Sequence, residues 1–178
     1  MEKIERLERV LMYQGTILKI YKDVVKLPNG ETADWDYIHH NGATAVVPVM
    51  PDGRILMVCQ YRNALDRFML ELPAGALDGP DEAPEMCAAR ELEEETGYRC
   101  QKIEWLIDLN TTIAFCDEWV GIYVATDLIP SKQQLDDGES IDVRAYTMDE
   151  LEKMIFSGEI TDGKTIAGLM SYKAKYLS

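Results

Sequence analysis

A mixed α/β fold, with a β-sheet covered by helices on its faces, is what this sequence predicts, and three observations carry that expectation. Strand-like apolar runs dominate the first third of the chain, one strongly helical segment sits near its middle, and after further strands the chain closes on two helices. A length of 178 residues allows one well-buried domain, and 47% hydrophobic with 28% charged residues is the balance of an ordinary globular protein.

The elements follow in chain order. Residues 1–40 read as a β-rich lead-in, in which segments 24–27 and 32–38 flank Pro28-Asn29-Gly30, a turn signal that predicts a hairpin. Segments 43–50 and 55–61, rich in Val and Ile, flank Pro51-Asp52-Gly53 in the same way and predict a second hairpin. A glycine-containing loop follows Glu71-Leu72-Pro73-Ala74-Gly75. Residues 84–96 then read as a helix, because Pro84 suits a first-turn position and Gly97 sits where a helix stops. Apolar stretches at 103–109, 119–125 and 141–146 supply further strands. Thr147-Met148-Asp149-Glu150 forms a capping box into a helix over 151–156. Ile166, Leu169, Met170, Lys173 and Tyr176/Leu177 recur at helical spacing and give a last amphipathic helix.

Charge narrows the partners. With 18 Lys+Arg against 32 Asp+Glu the formal net charge is −14, which argues against a nucleic-acid clamp and against electrostatic docking on an anionic membrane. The opening MEKIERLERV is too charged for a secretory signal, and no apolar run approaches the length of a membrane span. Cys59, Cys87, Cys100 and Cys116 are scattered without zinc-ligand spacing and read as reduced packing residues. The expectation is a cytoplasmic protein with neither nucleic-acid nor membrane partners.

The chemistry concentrates between Asp81 and Glu95, where Asp81, Glu82, Glu85, Glu91, Glu93, Glu94 and Glu95 face one base, Arg90. On a helix Glu91 and Glu95 are four apart and Glu94 is three from Glu91, so three carboxylates project from neighbouring positions and repel one another. Such a face is often only solvated. Here it follows an exposed Pro-Ala-Gly backbone, and a hard divalent cation such as Mg²⁺ or Mn²⁺ would relieve the repulsion through oxygen ligands.

The run Gly75 … Glu82 … Arg90-Glu91-Leu92-Glu93-Glu94-Glu95-Thr96-Gly97-Tyr98 resembles the signature of the Nudix hydrolases. Every fixed position from Glu82 to Tyr98 matches, whereas six residues separate Gly75 from Glu82 where the family has five. A one-residue insertion in loop 76–81 keeps Glu82 in register with Arg90; the alternative places Asp81 in the first acidic position. The resemblance implies an α/β/α sandwich with a mixed sheet over 41–178, and a small N-terminal antiparallel sheet over 1–40 that serves dimerisation. It further implies hydrolysis of a nucleoside diphosphate linked to another group, with Mg²⁺ (or Mn²⁺) held by Glu91, Glu95, Glu94 and the Ala74 carbonyl. Arg90 would orient a neighbouring glutamate, and a carboxylate beside the metal, Glu94 being one candidate, would take the proton of the attacking water.

Gln60-Tyr61-Arg62 followed by Arg67-Phe68-Met69-Leu70-Glu71-Leu72-Pro73-Ala74-Gly75 resembles the ADP-ribose and ADP-sugar pyrophosphatase branch. That likeness implies that Arg62 contacts a substrate phosphate and that Glu71 braces the site or binds the adenosine side. Ile113-Ala114 stand where many relatives carry Pro-Gly, and Glu118 closes that loop as an accessory group. Glu139, or alternatively Asp137, in Asp136-Asp137-Gly138-Glu139 falls where the branch places its water-activating acid. Trp35 and Tyr37 share one strand face, where Trp35 would stack on adenine or line a partner surface; His39 and His40 receive no role. The expected reaction cleaves ADP-ribose or a related nucleoside diphosphate sugar to a nucleoside monophosphate and a sugar phosphate. Rival substrates are dinucleotide polyphosphates and nucleoside triphosphates, and the rival of another class is a non-catalytic nucleotide-sugar-binding regulator.

Overall fold

The computed structural model describes residues 3–16, 18–79, 81–136 and 138–177. The chain divides into two compact units, residues 1–41 with 110–119 and residues 42–109 with 120–178.

The first unit is a three-stranded antiparallel sheet of β1 (Glu5–Gln14), β2 (Lys19–Lys26) and β3 (Thr32–His39), in the order β1-β2-β3. The hairpin expected around Pro28-Asn29-Gly30 forms: Gly30 takes a positive φ of 88° and its N–H bonds the Leu27 carbonyl at 2.9 Å. Both strands run longer than expected, and the charged opening residues form β1, which lacks the clean alternation of a half-buried strand and is exposed along most of its length. Arg9 and Asp23 stand directly opposite in the β1–β2 register and pair through two 2.6 Å bonds. The Arg9 guanidinium lies 3.4 Å from the Tyr37 ring centroid, so one arginine links all three strands.

The second unit holds two sheets. One has the order β7-β4-β9-β8, from β4 (Ala43–Pro48), β7 (Ala74–Ala76), β8 (Tyr98–Asn110) and β9 (Trp119–Pro130). The other has the order β10-β5-β6, from β5 (Ile55–Arg62), β6 (Arg67–Glu71) and β10 (Ile141–Tyr146). This corrects the second hairpin. The turn at residues 50–54 closes as expected, with the Met50 N–H on the Arg54 carbonyl at 2.8 Å, but β4 and β5 share only the single bridge Val49–Ile55. Both edges of β4 are already taken, by β9 in parallel and β7 in antiparallel pairing, so β5 turns away into the other sheet.

Burial explains why β4 reads as an unbroken apolar run. Ala45 and Val47 join Ile122 and Val124 of β9 in one core, whereas Val46 joins Tyr123 and Ala125 in another with Ala88 and Leu92. A parallel pair covered on both faces needs apolar residues at every position. Ala88 and Leu92 belong to α1 (Pro84–Thr96); Leu151 of α2 (Met148–Ser157) and Leu169 of α3 (Gly163–Tyr172) complete the opposite core. The layers are helix, sheet, helix. α2 carries the expected capping box, and α1 begins and ends where Pro84 and Gly97 placed it. Among the described residues no helix is long and apolar enough to cross a membrane.

Candidate active site

The site grows from the junction of β6, β7 and α1. Gly75 lies under the Glu91 side chain so closely that a Cβ there would overlap the carboxyl group. Helix α1 is thereby laid against the Pro73-Ala74-Gly75 backbone. The Ala74 N–H donates to Glu95 Oε2 at 2.9 Å, which joins the last turn of α1 to the same backbone.

Arg90 organises the acids around it. It donates from Nε to Glu82 Oε1 at 3.0 Å, and from Nη1 to Glu91 Oε1 at 2.6 Å and Glu94 Oε2 at 2.9 Å. Nη2 reaches the Ala76 carbonyl at 3.3 Å. Glu82, not Asp81, thus occupies the position that pairs with Arg90, and the extra residue is absorbed by the preceding loop. One cation hydrogen-bonds three carboxylates and lies 3.7 Å from a fourth, Asp78, whereas among the described residues Glu95 has no cation within an ion-pair contact.

The electrostatics follow that imbalance. Glu95 is 6% exposed, and desolvation, with repulsion from Glu91 and Glu139, pushes its carboxyl up to about 8 against the pull of the Ala74 N–H and Arg62. Burial likewise raises Glu91, opposed by Arg90 and reinforced by Glu94. Among the described residues no three His, Cys, Asp or Glu side chains converge as metal ligands do; the acids are turned instead to Arg90 and to the backbone. The donor set nevertheless suits a hard cation: it is all oxygen, partly desolvated and short of positive charge.

A loop with a second acid closes on the end of α1. The Gln133 side-chain amide donates to the Glu95 carbonyl at 2.8 Å and to the Ile141 carbonyl at 3.2 Å, and the Gln134 N–H meets the Glu94 carbonyl at 2.9 Å. Gly97, in the left-handed region at φ 71°, lets the chain turn under Gln133, where a Cβ would press on the Gln133 nitrogen. Glu139 accepts a 3.2 Å bond from the Gln60 amide on β5, and it contributes to the field that raises Glu95. Asp137, the alternative acid, lies outside the described residues.

Beside these acids Arg62, at the end of β5, donates to Glu71 from Nε at 2.7 Å and from Nη2 at 3.0 Å. Glu71 is 3% exposed, and it also accepts from Lys164 of α3. Burial alone would raise the Glu71 carboxyl, but Arg62 and Lys164 outweigh it and hold it below the usual range. Arg62 and Lys164 line an open cavity of about 380 Å³ with Leu65, Met69 and Asp162.

Within the second unit, then, the fold gathers Ala74, Glu91, Glu94, Glu95, Glu139, Arg62 and Glu71. Trp35 and Glu118 belong to the first unit. Trp35 is 47% exposed and lines a cavity of about 700 Å³ with Ile20, Ile38 and Phe115. Glu118 accepts from the Thr111 hydroxyl at 2.6 Å and lies 3.6 Å from His40 Nε2. Asp117 accepts from Tyr37, contacts His39 Nδ1 at 2.9 Å and accepts from the His40 N–H at 2.8 Å, so the unassigned histidines anchor the 110–119 loop.

Lys164, Gln60 and Gln133 were not foreseen. Lys164 alone carried a readable signal: Asp162-Gly163-Lys164-Thr165 is a helix start, where a lysine opposes the macrodipole unless an acid receives it. Gln60 stands in the run that carries the branch resemblance but received no role there, and it and Gln133 act through contacts distant in sequence.

Comparison with known proteins places these features. The NUDIX domain profile matches residues 39–169. The chain is 40% identical over 167 residues to the methanol dehydrogenase activator of Bacillus methanolicus, covering 93% of this chain and 89% of that protein. It is 37% identical over 168 residues to the ADP-ribose pyrophosphatase of Bacillus subtilis (strain 168), covering 93% and 88%. The crystal structure of an ADP compounds hydrolase superposes with a TM-score of 0.88 at 18% identity, over 97% of this chain and 94% of that one, and so shares the fold.

Proposed function

The chain belongs to the NUDIX family, and from that premise we propose that it cleaves the pyrophosphate bond of ADP-ribose or a related nucleoside diphosphate sugar. The products are a nucleoside monophosphate and a sugar phosphate. The observation that carries the proposal is Glu95, a buried carboxyl with neighbouring acids and, among the described residues, no cation in ion-pair contact, in the position that the resemblance gives to a metal ligand.

Glu91, Glu95, Glu94 and the Ala74 carbonyl would hold Mg²⁺, or Mn²⁺ in its place. When bound, the ion neutralises charge on the diphosphate and orients the attacking water. Arg90 keeps Glu91 and Glu94 on one side of α1, and Gly75 lets the Glu91 carboxyl lie against the backbone. Glu139, held by Gln60, accepts the proton of the water as its oxygen bonds to phosphorus and the bridging P–O bond breaks. Arg62 donates to a phosphate oxygen with the N–H groups that Glu71 leaves free. The exposed indole of Trp35 is proposed to stack on adenine or to line a partner surface, and the Glu118 carboxylate to serve as an accessory substrate-binding group. The first unit, with Leu7, Leu11, Met12 and Tyr13 exposed along β1, is proposed to join two copies into a homodimer, and the compartment is proposed to be the cytoplasm.

The test is a panel of nucleoside diphosphate sugars, dinucleotide polyphosphates and nucleoside triphosphates incubated with the protein and Mg²⁺ or Mn²⁺, with product identification. AMP release from ADP-ribose, abolished by Glu95→Gln, is expected. Turnover indifferent to that substitution would sink the metal assignment, and binding without turnover on every compound would favour the regulator. A second reading, regulation of a dehydrogenase, is favoured by the name of the 40% identical relative. Adding the protein to a methanol dehydrogenase and following the rate of methanol oxidation decides it.

A further inference from the structure

The first turn of α3 grips Glu71, which ends β6, and Leu72, which leads into the Pro73-Ala74-Gly75 backbone. Lys164 Nζ bonds the Glu71 carboxylate and, at 3.0 Å, Asp162 Oδ2. The Leu72 N–H donates to Thr165 Oγ1 at 2.9 Å, while that hydroxyl donates to Asp162 Oδ2 at 2.6 Å. Asp162 is meanwhile occupied with capping its own helix, accepting the Thr165 N–H at 3.0 Å.

Glu71 is therefore one carboxylate shared by two cations of unequal exposure. The Lys164 side chain is 17% exposed and that of Arg62 is 38%. Arg62 spends Nε and one Nη2 hydrogen on Glu71, and a guanidinium has five donors, so three remain. If Glu71 faced Arg62 alone, the two would form a closed neutral pair with little attraction for an anion. With Lys164 drawing on the same carboxylate oxygen, Oε2, as Arg62 Nη2, Arg62 stays fixed in direction and is only partly neutralised.

We propose that Lys164 is a positioning residue which acts through Glu71 to keep Arg62 oriented and available to a diphosphate. The inference rests on the reading of this site as a nucleoside diphosphate sugar site and assigns it a residue outside the signature. A strut that merely holds α3 to β6 would share the same bonds; the two roles differ in whether the effect of Lys164 passes through Arg62.

A double-mutant cycle separates them. Lys164→Met, Arg62→Ala and the double variant are compared with the unmodified protein in Mg²⁺-dependent ADP-ribose hydrolysis, in calorimetric binding of ADP-ribose with Ca²⁺ replacing Mg²⁺, and in thermal unfolding. Lys164→Met is expected to raise KM and Kd about tenfold with kcat little changed, and the double variant is expected to be no worse than Arg62→Ala. Lys164→Arg should recover most of the loss. Independent, multiplicative losses in the double variant overturn the proposal, as does a Lys164→Met protein that melts earlier with KM and Kd unmoved. If Lys164→Met does not fold, Lys164→Gln carries the same cycle. Binding without turnover, with the coupled cycle intact, keeps the role of Lys164 and discards hydrolysis; a protein that neither binds nor cleaves ADP-ribose overturns both.

Discussion

Glu71 and Glu95 are buried to nearly the same degree, 3% and 6% exposed, yet their carboxyl groups move in opposite directions, below the usual range for Glu71 and up to about 8 for Glu95. Desolvation is the largest influence on both and raises both. What differs is company. Glu71 sits between Arg62 and Lys164, whereas Glu95 has a backbone N–H, the repulsion of Glu91 and Glu139 and only the more distant pull of Arg62. A buried acid that carries its own cations is a finished piece of structure. One without a cation in ion-pair contact is stable only if it is protonated or if a cation arrives, and the metal role proposed for Glu95 is the second case.

The largest test of that contrast is Glu95→Gln. Turnover should fall by at least about a hundredfold, because the proposed metal site loses the negative charge of one ligand and with it part of its hold on the ion that neutralises the diphosphate. Stability should move the other way in protein stripped of divalent metal. The folded pKa of Glu95 is raised, so its contribution is fully present below the unfolded value of 4.5 and is lost as pH rises through about 8. The metal-free melting temperature should accordingly decline across that window, and Glu95→Gln should flatten the decline. A flat profile in the unmodified protein would mean that Glu95 already has a partner. Next in size is Gly75→Ala, which forces a methyl group into the Glu91 carboxyl. Displacing a proposed ligand by this much should cost about a hundredfold or less in kcat with KM little changed, as steady-state kinetics would read.

The two acids also differ in how legible they were. Glu95 stands in a dense local pattern whose boundaries are chemical: Pro84 can only begin a helix cleanly and Gly97, at φ 71°, can end it without strain, so α1 runs from Pro84 to Thr96 as read. The partners of Glu71 were half visible. Arg62 lies close by in sequence, but Lys164 comes from α3, near the other end of the chain, and only the tertiary fold unites them. The second hairpin failed for a related reason. Its turn chemistry was real, yet the hydrogen bonds of β4 go to β9 and β7, and competition for a strand edge is not written in the turn. Short β7, three residues at the mouth of the site, has no apolar alternation to announce it.

Glu71→Gln probes the finished cluster. Removing the charge leaves Arg62 and Lys164 without their shared counter-ion, and should cost about 2 kcal/mol, discounted for the exposure of Arg62. The pH sign is opposite to that of Glu95. The folded pKa of Glu71 is depressed, so its stabilisation is present above the unfolded 4.5 and lost as pH falls through the folded value. Acid unfolding followed by circular dichroism should be shallower below pH 4.5 in the variant. An unchanged acid limb would show that the two cations do not hold Glu71 ionised.

The smallest effect belongs to a residue outside both clusters, and it calibrates the others. Thr147 caps α2: its hydroxyl accepts the Glu150 N–H at 3.3 Å, and the Glu150 carboxylate accepts the Thr147 N–H at 2.8 Å. Thr147→Ala removes one half of that reciprocal pair and should cost about 1 kcal/mol, or about 3 °C in Tm for a chain of this size. None of its bonds reaches Glu71, Glu95 or Arg90, so kcat and KM for ADP-ribose should stay within about twofold of the unmodified values. If a loss of stability this size alone lowered turnover tenfold, the effects expected for Gly75→Ala and Lys164→Met would lose their meaning as readouts of the site. If turnover holds, a variant that melts no earlier than Thr147→Ala but loses activity has lost it at the carboxylates or at Arg62.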